Sequence, residues 1–377
     1  MNLQTLVEES TLRVEEQNHT TYWASNGYKF DNKLLALWYE TSTNNFVTFV
    51  DTQLEEIRNQ LSGTTIDMNQ DYNKNYLEYL KAHYDEVNLC FSGGSDSLTI
   101  LDTAVKNNIV LDKLIYFACD DLELENNREF KHCALPIIEK YKGKFGSYEI
   151  ATITWDEHSE MYADEMYFFR RASSHTLPFN SAQFATHPSF KIKDNACYIK
   201  GLDKPQLIKY KERWYTVHQD TGSMGDWRYS NVKAFWLDAE NIKSYVKDSL
   251  LYRQHLLEAN RVDQTNLQFF KPNQDKKINS ILGRSTVLNY NKQLFKNTTG
   301  SGKHNLPTTK GLQRMHDALS VGRMDLLVNY FTAMKKCNDL LPDYAYKNIP
   351  GKFAWFIDID SLEVFTQQEL IPTGFVN

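Results

Sequence analysis

Long apolar runs are missing from this sequence. None approaches the roughly 20 residues that a membrane-spanning helix requires. The N-terminus, with Glu8 and Glu9 close behind Met1, has neither the basic end nor the apolar core of a secretory signal. A cytoplasmic protein with no membrane partner is expected. Cysteine is scarce: Cys90, Cys119, Cys133, Cys197 and Cys337 are odd in number and never stand as Cys-x-x-Cys. That argues against a disulfide framework and a zinc ribbon, and makes most of them small buried hydrophobes. The histidines include no His-Glu-x-x-His, so a catalytic zinc helix has no support. An excess of positive charge is also lacking. A formal net charge of -6 offers nucleic acid no global field, although a local basic groove is compatible with it.

What is present suffices for a folded protein. A chain of 377 residues with a 41% hydrophobic share can bury the cores of two or three domains. Its organising stretch runs from Glu86 to Ser97. Val87 to Phe91 is a short apolar run of the kind that makes a buried strand, and Leu98, Leu101 and Val105 then recur at helical spacing. Between them stands Ser92-Gly93-Gly94-Ser95-Asp96-Ser97. A strand-to-helix loop of this kind gathers free backbone N–H groups and the positive end of a helix dipole, which suits a phosphate. Gly93 and Gly94 permit positive φ and close backbone approach, and the serines add hydroxyl donors without bulk. Asp96 beside a phosphate is repulsive unless a cation lies between them, which argues for Mg²⁺. The segment Gly300-Ser301-Gly302-Lys303 is no Walker A loop, because Asn297 stands where the first glycine belongs and His304 where the hydroxyl should be.

The pattern Ser-Gly-Gly-Ser-Asp-Ser resembles the pyrophosphate-binding loop of the PP-loop ATP pyrophosphatase superfamily. The resemblance implies a HUP-like α/β fold, an open parallel sheet with flanking helices. It also implies ATP and Mg²⁺ as cofactors, and an AMP-forming reaction in which a carboxylate or related oxygen is adenylated before a nucleophile displaces AMP.

Along the chain, residues 1–80 read as a small β-rich unit. Its turn signals Asn26-Gly27 and Asp31-Asn32 separate the runs Thr21–Ala24, Leu34–Tyr39 and Asn45–Val50, as in an antiparallel meander. Residues 81–240 alternate strand and helix as parallel pairing demands. Leu114–Cys119 is the second strand and Asn127–Lys140 a helix interrupted by Pro136. Tyr148–Trp155 and Asn195–Lys200 are the third and fourth strands, and Leu207–Tyr210 with Arg213–His218 forms a hairpin. Residues 241–377 read as mainly helical, with candidates at Ile242–Asn260, Lys276–Phe295 and Leu312–Cys337 and a loop at Asn297–Lys310.

Just past the fourth strand comes Lys200-Gly201-Leu202-Asp203-Lys204-Pro205. This element is similar to one in the synthetase domain of asparagine synthetase and β-lactam synthetase, and the segment after the second strand is similar to phage asparagine-synthase-like proteins. A host-cell cytoplasm is expected if the chain is phage-encoded. The resemblance implies Asp203 as a second Mg²⁺ ligand beside Asp96. Two departures limit it. Asn2 stands where the glutaminase nucleophile would be, and Lys200 and Lys204 replace the glutamates of the family's Gly-Glu-Gly-x-Asp-Glu. A lysine ammonium would still stabilise charge on a pentavalent phosphorus. The candidate catalytic set is therefore Asp96, Lys200 and Lys204, with ATP held by Ser92 to Ser97, Asp120 and Gly201. The plainer alternatives are a loop cap for Asp203, an ordinary surface lysine for Lys204 and a helix cap for Asp120. The partners expected are ATP and a small-molecule acceptor. An enzyme modifying a nucleic-acid base is the alternative, through an aromatic groove at Trp214, Trp227 and Trp236; a sulfonucleotide-reductase-like protein and a nucleotide-binding module without turnover are others.

Overall fold

The computed structural model describes residues 2–16, 18–118, 130–170, 190–201, 205–210, 212–220, 230–258, 315, 318–342 and 352–370. The chain opens with helix α1 (Leu3–Glu16) and the strands β1 (Thr21–Ser25) and β2 (Tyr28–Phe30). Asn26 and Gly27, at φ 49° and 83°, make the two-residue turn between those strands. The run expected as the middle strand of a meander is instead helix α2 (Lys33–Thr43). Asn32 does not turn the chain between strands. Its side chain accepts the Leu35 N–H at 3.1 Å and caps a helix. Leu34 to Leu37 are all buried, so the helix is covered on nearly every side and shows the unbroken apolar run that periodicity cannot tell from a strand. Strand β3 (Thr48–Asp51) completes a sheet of order β2-β1-β3.

Helices α3 (Leu54–Leu61) and α4 (Tyr72–His83) lead into β4 (Glu86–Cys90), α5 (Ser95–Lys106) and β5 (Leu111–Ala118). A π-helical turn, Phe130–Ala134, passes into α6 (Leu135–Lys140), with Pro136 in its first turn. There the missing N–H matters least. Strand β6 (Phe145–Thr152) ends before the expected Trp155, because Thr154 starts α7 (Trp155–Ala163) with a capping box. Glu157 N–H donates to Thr154 Oγ1 at 3.2 Å and Thr154 N–H to Glu157 Oε2 at 2.7 Å. After α8 (Tyr167–Arg170) come β7 (Ala196–Lys200) and the hairpin β8 (Gln206–Tyr210) and β9 (Arg213–Gln219). Then follow β10 (Val232–Ala234), α9 (Ile242–Glu258), α10 (Met324–Leu340), β11 (Phe353–Asp358), β12 (Val364–Phe365) and α11 (Gln367–Leu370).

The architecture is α/β. Five parallel strands in the order β10-β7-β4-β5-β6 carry helices α4 and α5 and the π turn against them. Chain order reverses between β4 and β7, which is the topological switch point of an open sheet. Every strand expected from the alternating pattern lies in this sheet; β10 is an addition. The C-terminal region is less purely helical than its composition suggests. Strands β11 and β12 join the β8–β9 hairpin in an antiparallel sheet of order β12-β11-β9-β8. The expected helix at 276–295 and loop at 297–310 lie outside the described residues.

Buried polar contacts connect the N-terminal sheet to this antiparallel one. Trp23 Nε1 and Lys33 Nζ donate to the Asp220 carboxylate at 2.7 and 2.8 Å, and Trp355 Nε1 donates to Asp51 at 2.9 Å. Among the described residues no helix is long and apolar enough to cross a membrane.

Candidate functional site

Strand β4 runs under the centre of the parallel sheet and stops at Cys90; Phe91 N–H still reaches the Ile115 carbonyl at 2.8 Å before the chain leaves the sheet. The loop then turns within three residues into α5, whose first helical bond is Leu98 N–H to the Gly94 carbonyl at 2.9 Å. Gly94 occupies the N-cap in extended conformation and provides no side-chain cap. Most helices start on a residue whose side-chain oxygen folds over their first N–H groups; a glycine at that position has none to give. Ser97 is buried and braces the loop from within: its hydroxyl accepts the Ser92 N–H at 3.3 Å and donates to the Gly94 carbonyl at 3.2 Å. The serine expected to face a ligand is thus spent on the loop's own backbone.

Two glycines set how closely the neighbours approach. Gly93 has φ +67°, and a Cβ there would stand 2.6 Å from the Cys133 carbonyl carbon and 2.7 Å from the Ala134 nitrogen. The π turn is therefore seated directly on the loop, which sequence reasoning missed. Its one signal was Pro136, which marked an irregularity but not where it would dock. Across the switch point, a Cβ on Gly201 would stand 2.9 Å from both the Asp96 carbonyl carbon and the Ser97 nitrogen. The carboxyl end of β7 thus abuts the first turn of α5.

Of the expected residues, Ser92 to Ser97, Lys200 and Gly201 come together at the carboxyl ends of β4 and β7. Asp120, Asp203 and Lys204 lie outside the described residues. Lys200 is 5% exposed and pairs in register with Cys90 on one side and Ala234 on the other. Burial pushes the Cys90 thiol up to about 12, a rise that the charge of Lys200 opposes. Behind the loop, buried Asp102 of α5 accepts a short hydrogen bond from Tyr141 OH, which ties the helix to the end of α6. Asp96, in the first turn of α5, is partly exposed.

Among the described residues no three His, Cys, Asp or Glu side chains are grouped to hold a metal ion. One or two carboxylates completed by phosphate oxygens and water are nevertheless the usual surroundings of Mg²⁺, and Asp96 fits such a partial shell. Trp214 and Trp236 are buried, at 7% and 2% exposure, so neither offers a face on which a base could stack; Trp227 lies outside the described residues. No family model matches the chain, and no curated protein matches it.

Proposed function

We propose that this chain is an ATP-dependent, AMP-forming ligase of the PP-loop type, with a HUP-like parallel sheet and a small-molecule acceptor. The observation that carries the reading is the seating of Gly201 against the Asp96–Ser97 backbone at the switch point. It supports a single crevice in which a helix N-terminus that begins on glycine, a carboxylate and a buried lysine end side by side.

In this reading the β and γ phosphates of ATP lie on the backbone N–H groups of the Ser92–Ser97 loop, drawn by the N-terminal end of the α5 dipole. Asp96 would hold Mg²⁺, which when bound neutralises phosphate charge, and Asp203 is the proposed second ligand. Lys200 supplies a fixed positive charge beside the α phosphate as an acceptor oxygen attacks in line and pyrophosphate departs. Its burial makes that charge count for more than it would in water. The rest of the catalysis is positioning. The altered glutamates, at Lys200 and Lys204, favour an acceptor other than the aspartate of asparagine synthesis.

The test is incubation with radiolabelled ATP, Mg²⁺ and a panel of carboxylic acids, followed by assay for pyrophosphate and AMP. Acid-dependent release is expected, and Asp96→Ala should lose it while melting like the parent protein. Release of ADP and phosphate in place of AMP, or an unimpaired Asp96→Ala, would overturn the assignment.

A further inference from the structure

The N-terminal sheet, the antiparallel sheet and the edge of the parallel sheet meet at a small recess that the candidate site does not use. Thr21, Gln53, His218, Lys233, Ala234 and Asp238 contribute to its wall, and its volume is about 20 Å³, room for a water-sized molecule. His218, on β9, is 2% exposed. Its Nδ1 stands 3.2 Å from Asp51 Oδ2, the oxygen that also accepts from Trp355 Nε1. An ionised carboxylate can only accept, so the proton in the Asp51 contact belongs to Nδ1, and in the neutral imidazole Nε2 is then the acceptor nitrogen. Nε2 has no hydrogen-bond partner among the described residues, and neither does Thr21 Oγ1 in the same wall. The Asp238 carboxylate, 3.0 Å from Lys233 Nζ, closes another side.

Two buried polar atoms without a partner among the described residues, at one recess, are a cost that a bound hydrogen-bond donor would remove. A carboxylate that fixes the tautomer of an imidazole, leaving its far nitrogen to accept a proton, is also how a general base is built. We infer that the recess binds one small O–H or N–H donor through His218 Nε2 and Thr21 Oγ1, and that the Asp51–His218 pair is its proton acceptor.

The location gives the pair a use. Ala234 pairs in register with Lys200, and the Phe235 N–H donates to the Lys200 carbonyl at 3.0 Å. The recess thus adjoins the carboxyl end of β10, on the side of the sheet where β7 meets the Ser92–Ser97 loop. If that loop binds pyrophosphate, on which this step rests, the bound donor is the nucleophile of the second half-reaction. Its lone pair forms the new bond to the adenylated carbon, and its proton passes to Nε2, where Asp51 stabilises the imidazolium. The carbon–oxygen bond to AMP breaks, with the electron pair leaving on the phosphate oxygen.

The binding claim is tested on the full chain without ATP, by NMR of isotope-labelled histidine rings, with methylamine and methanol as the N–H and O–H probes and His218→Gln to assign the signal. The expected result is an Nδ1–H tautomer for His218 and a saturable shift of its Nε2 resonance with at least one probe. Thr21→Val should weaken that response about fivefold through loss of one hydrogen bond. An Nε2–H tautomer, no response to either probe (a buried water only), or an undiminished response in Thr21→Val would overturn it. ATP binding followed separately by calorimetry reports on the loop, so a failed loop leaves the probe titration unaffected and a failed recess leaves the ATP isotherm unaffected.

Discussion

Gly201 and Asp96 come from strands and helices more than a hundred positions apart, yet the α-carbon of one faces the peptide of the other so closely that a Cβ would fall 2.9 Å from it. Nothing larger than glycine fits. Gly201→Ala should displace the first turn of α5 and, if the proposed function holds, weaken ATP binding about tenfold, with a modest loss of stability because the collision lies at the rim of the sheet. Gly93→Ala adds a left-handed φ of +67° to an even closer backbone contact, 2.6 Å. It should cost stability outright, about 2 kcal/mol or more from the conformational penalty and the displaced π turn. Chemical denaturation and calorimetry on both variants separate the two effects.

Asp220 and Lys33 form an ion pair at 2.8 Å with side chains 0% and 4% exposed. Burial pushes the Asp220 carboxyl up and holds the Lys33 ammonium down, each against the pull of its partner. Lys33→Met leaves a buried carboxylate without its counter-ion and should destabilise the protein by about 3–5 kcal/mol. Lys33→Met with Asp220→Asn should recover part of that loss. The amide removes the unpaired charge, but its single oxygen can accept from only one of Trp23 Nε1 and the Lys352 N–H, which now reach separate carboxylate oxygens, Oδ2 and Oδ1, at 2.7 and 2.6 Å, so the recovery stays partial. Urea titration of the single and double variants measures the recovery.

The acid side of the stability curve has a local reporter. Hydrogen bonding from Arg323 holds the Asp325 carboxyl down at about 2, with Ser159 adding a second donor. A carboxyl depressed in the folded state stabilises that state above its unfolded pKa near 4. The contribution is lost as pH falls from there toward 2. Arg323 also pairs with Asp156, so the interaction secures α10 against α7. Carboxyl NMR titration should place Asp325 near 2, and Arg323→Ala should return it to the ordinary range. Because the pair is exposed, the melting temperature should move little.

Burial pushes the thiols of Cys90, Cys197 and Cys337 up to about 12. A thiol that stays protonated is a poor nucleophile. A disulfide reagent at neutral pH should leave these three unmodified in the native protein and label them promptly in denaturant, as mass mapping would record. Fast native labelling of Cys90 would mean that the floor of the proposed crevice is open to solvent.

Much of the parallel sheet was legible because its strands carry their own signals. Val87 to Phe91 and Ala196 to Lys200 are buried runs bounded by turns, and the loop between Phe91 and Leu98 could be placed from its glycines alone. The helix at Lys33–Thr43 was not legible. A fully buried helix and a fully buried strand present the same apolar run, and only the Asn32 cap, one hydrogen bond, separates them. The π turn under Gly93 escaped because its place depends on what it docks against. Ser97 was assigned to a ligand on residue type, whereas its burial against Ser92 and Gly94 is a matter of backbone geometry.

The amino-acid order by itself determined the strand–loop–helix unit at Glu86–Lys106 and the alternation that yields a parallel sheet, because both follow from local spacing and from what glycine permits. Only the tertiary structure decided that Gly201 meets Asp96, that β11 crosses back to pair with β9, and that Asp51 orients His218. Such contacts join residues far apart in the chain. Their free energy lies in mutual burial and hydrogen bonding, which no local stretch of side chains encodes.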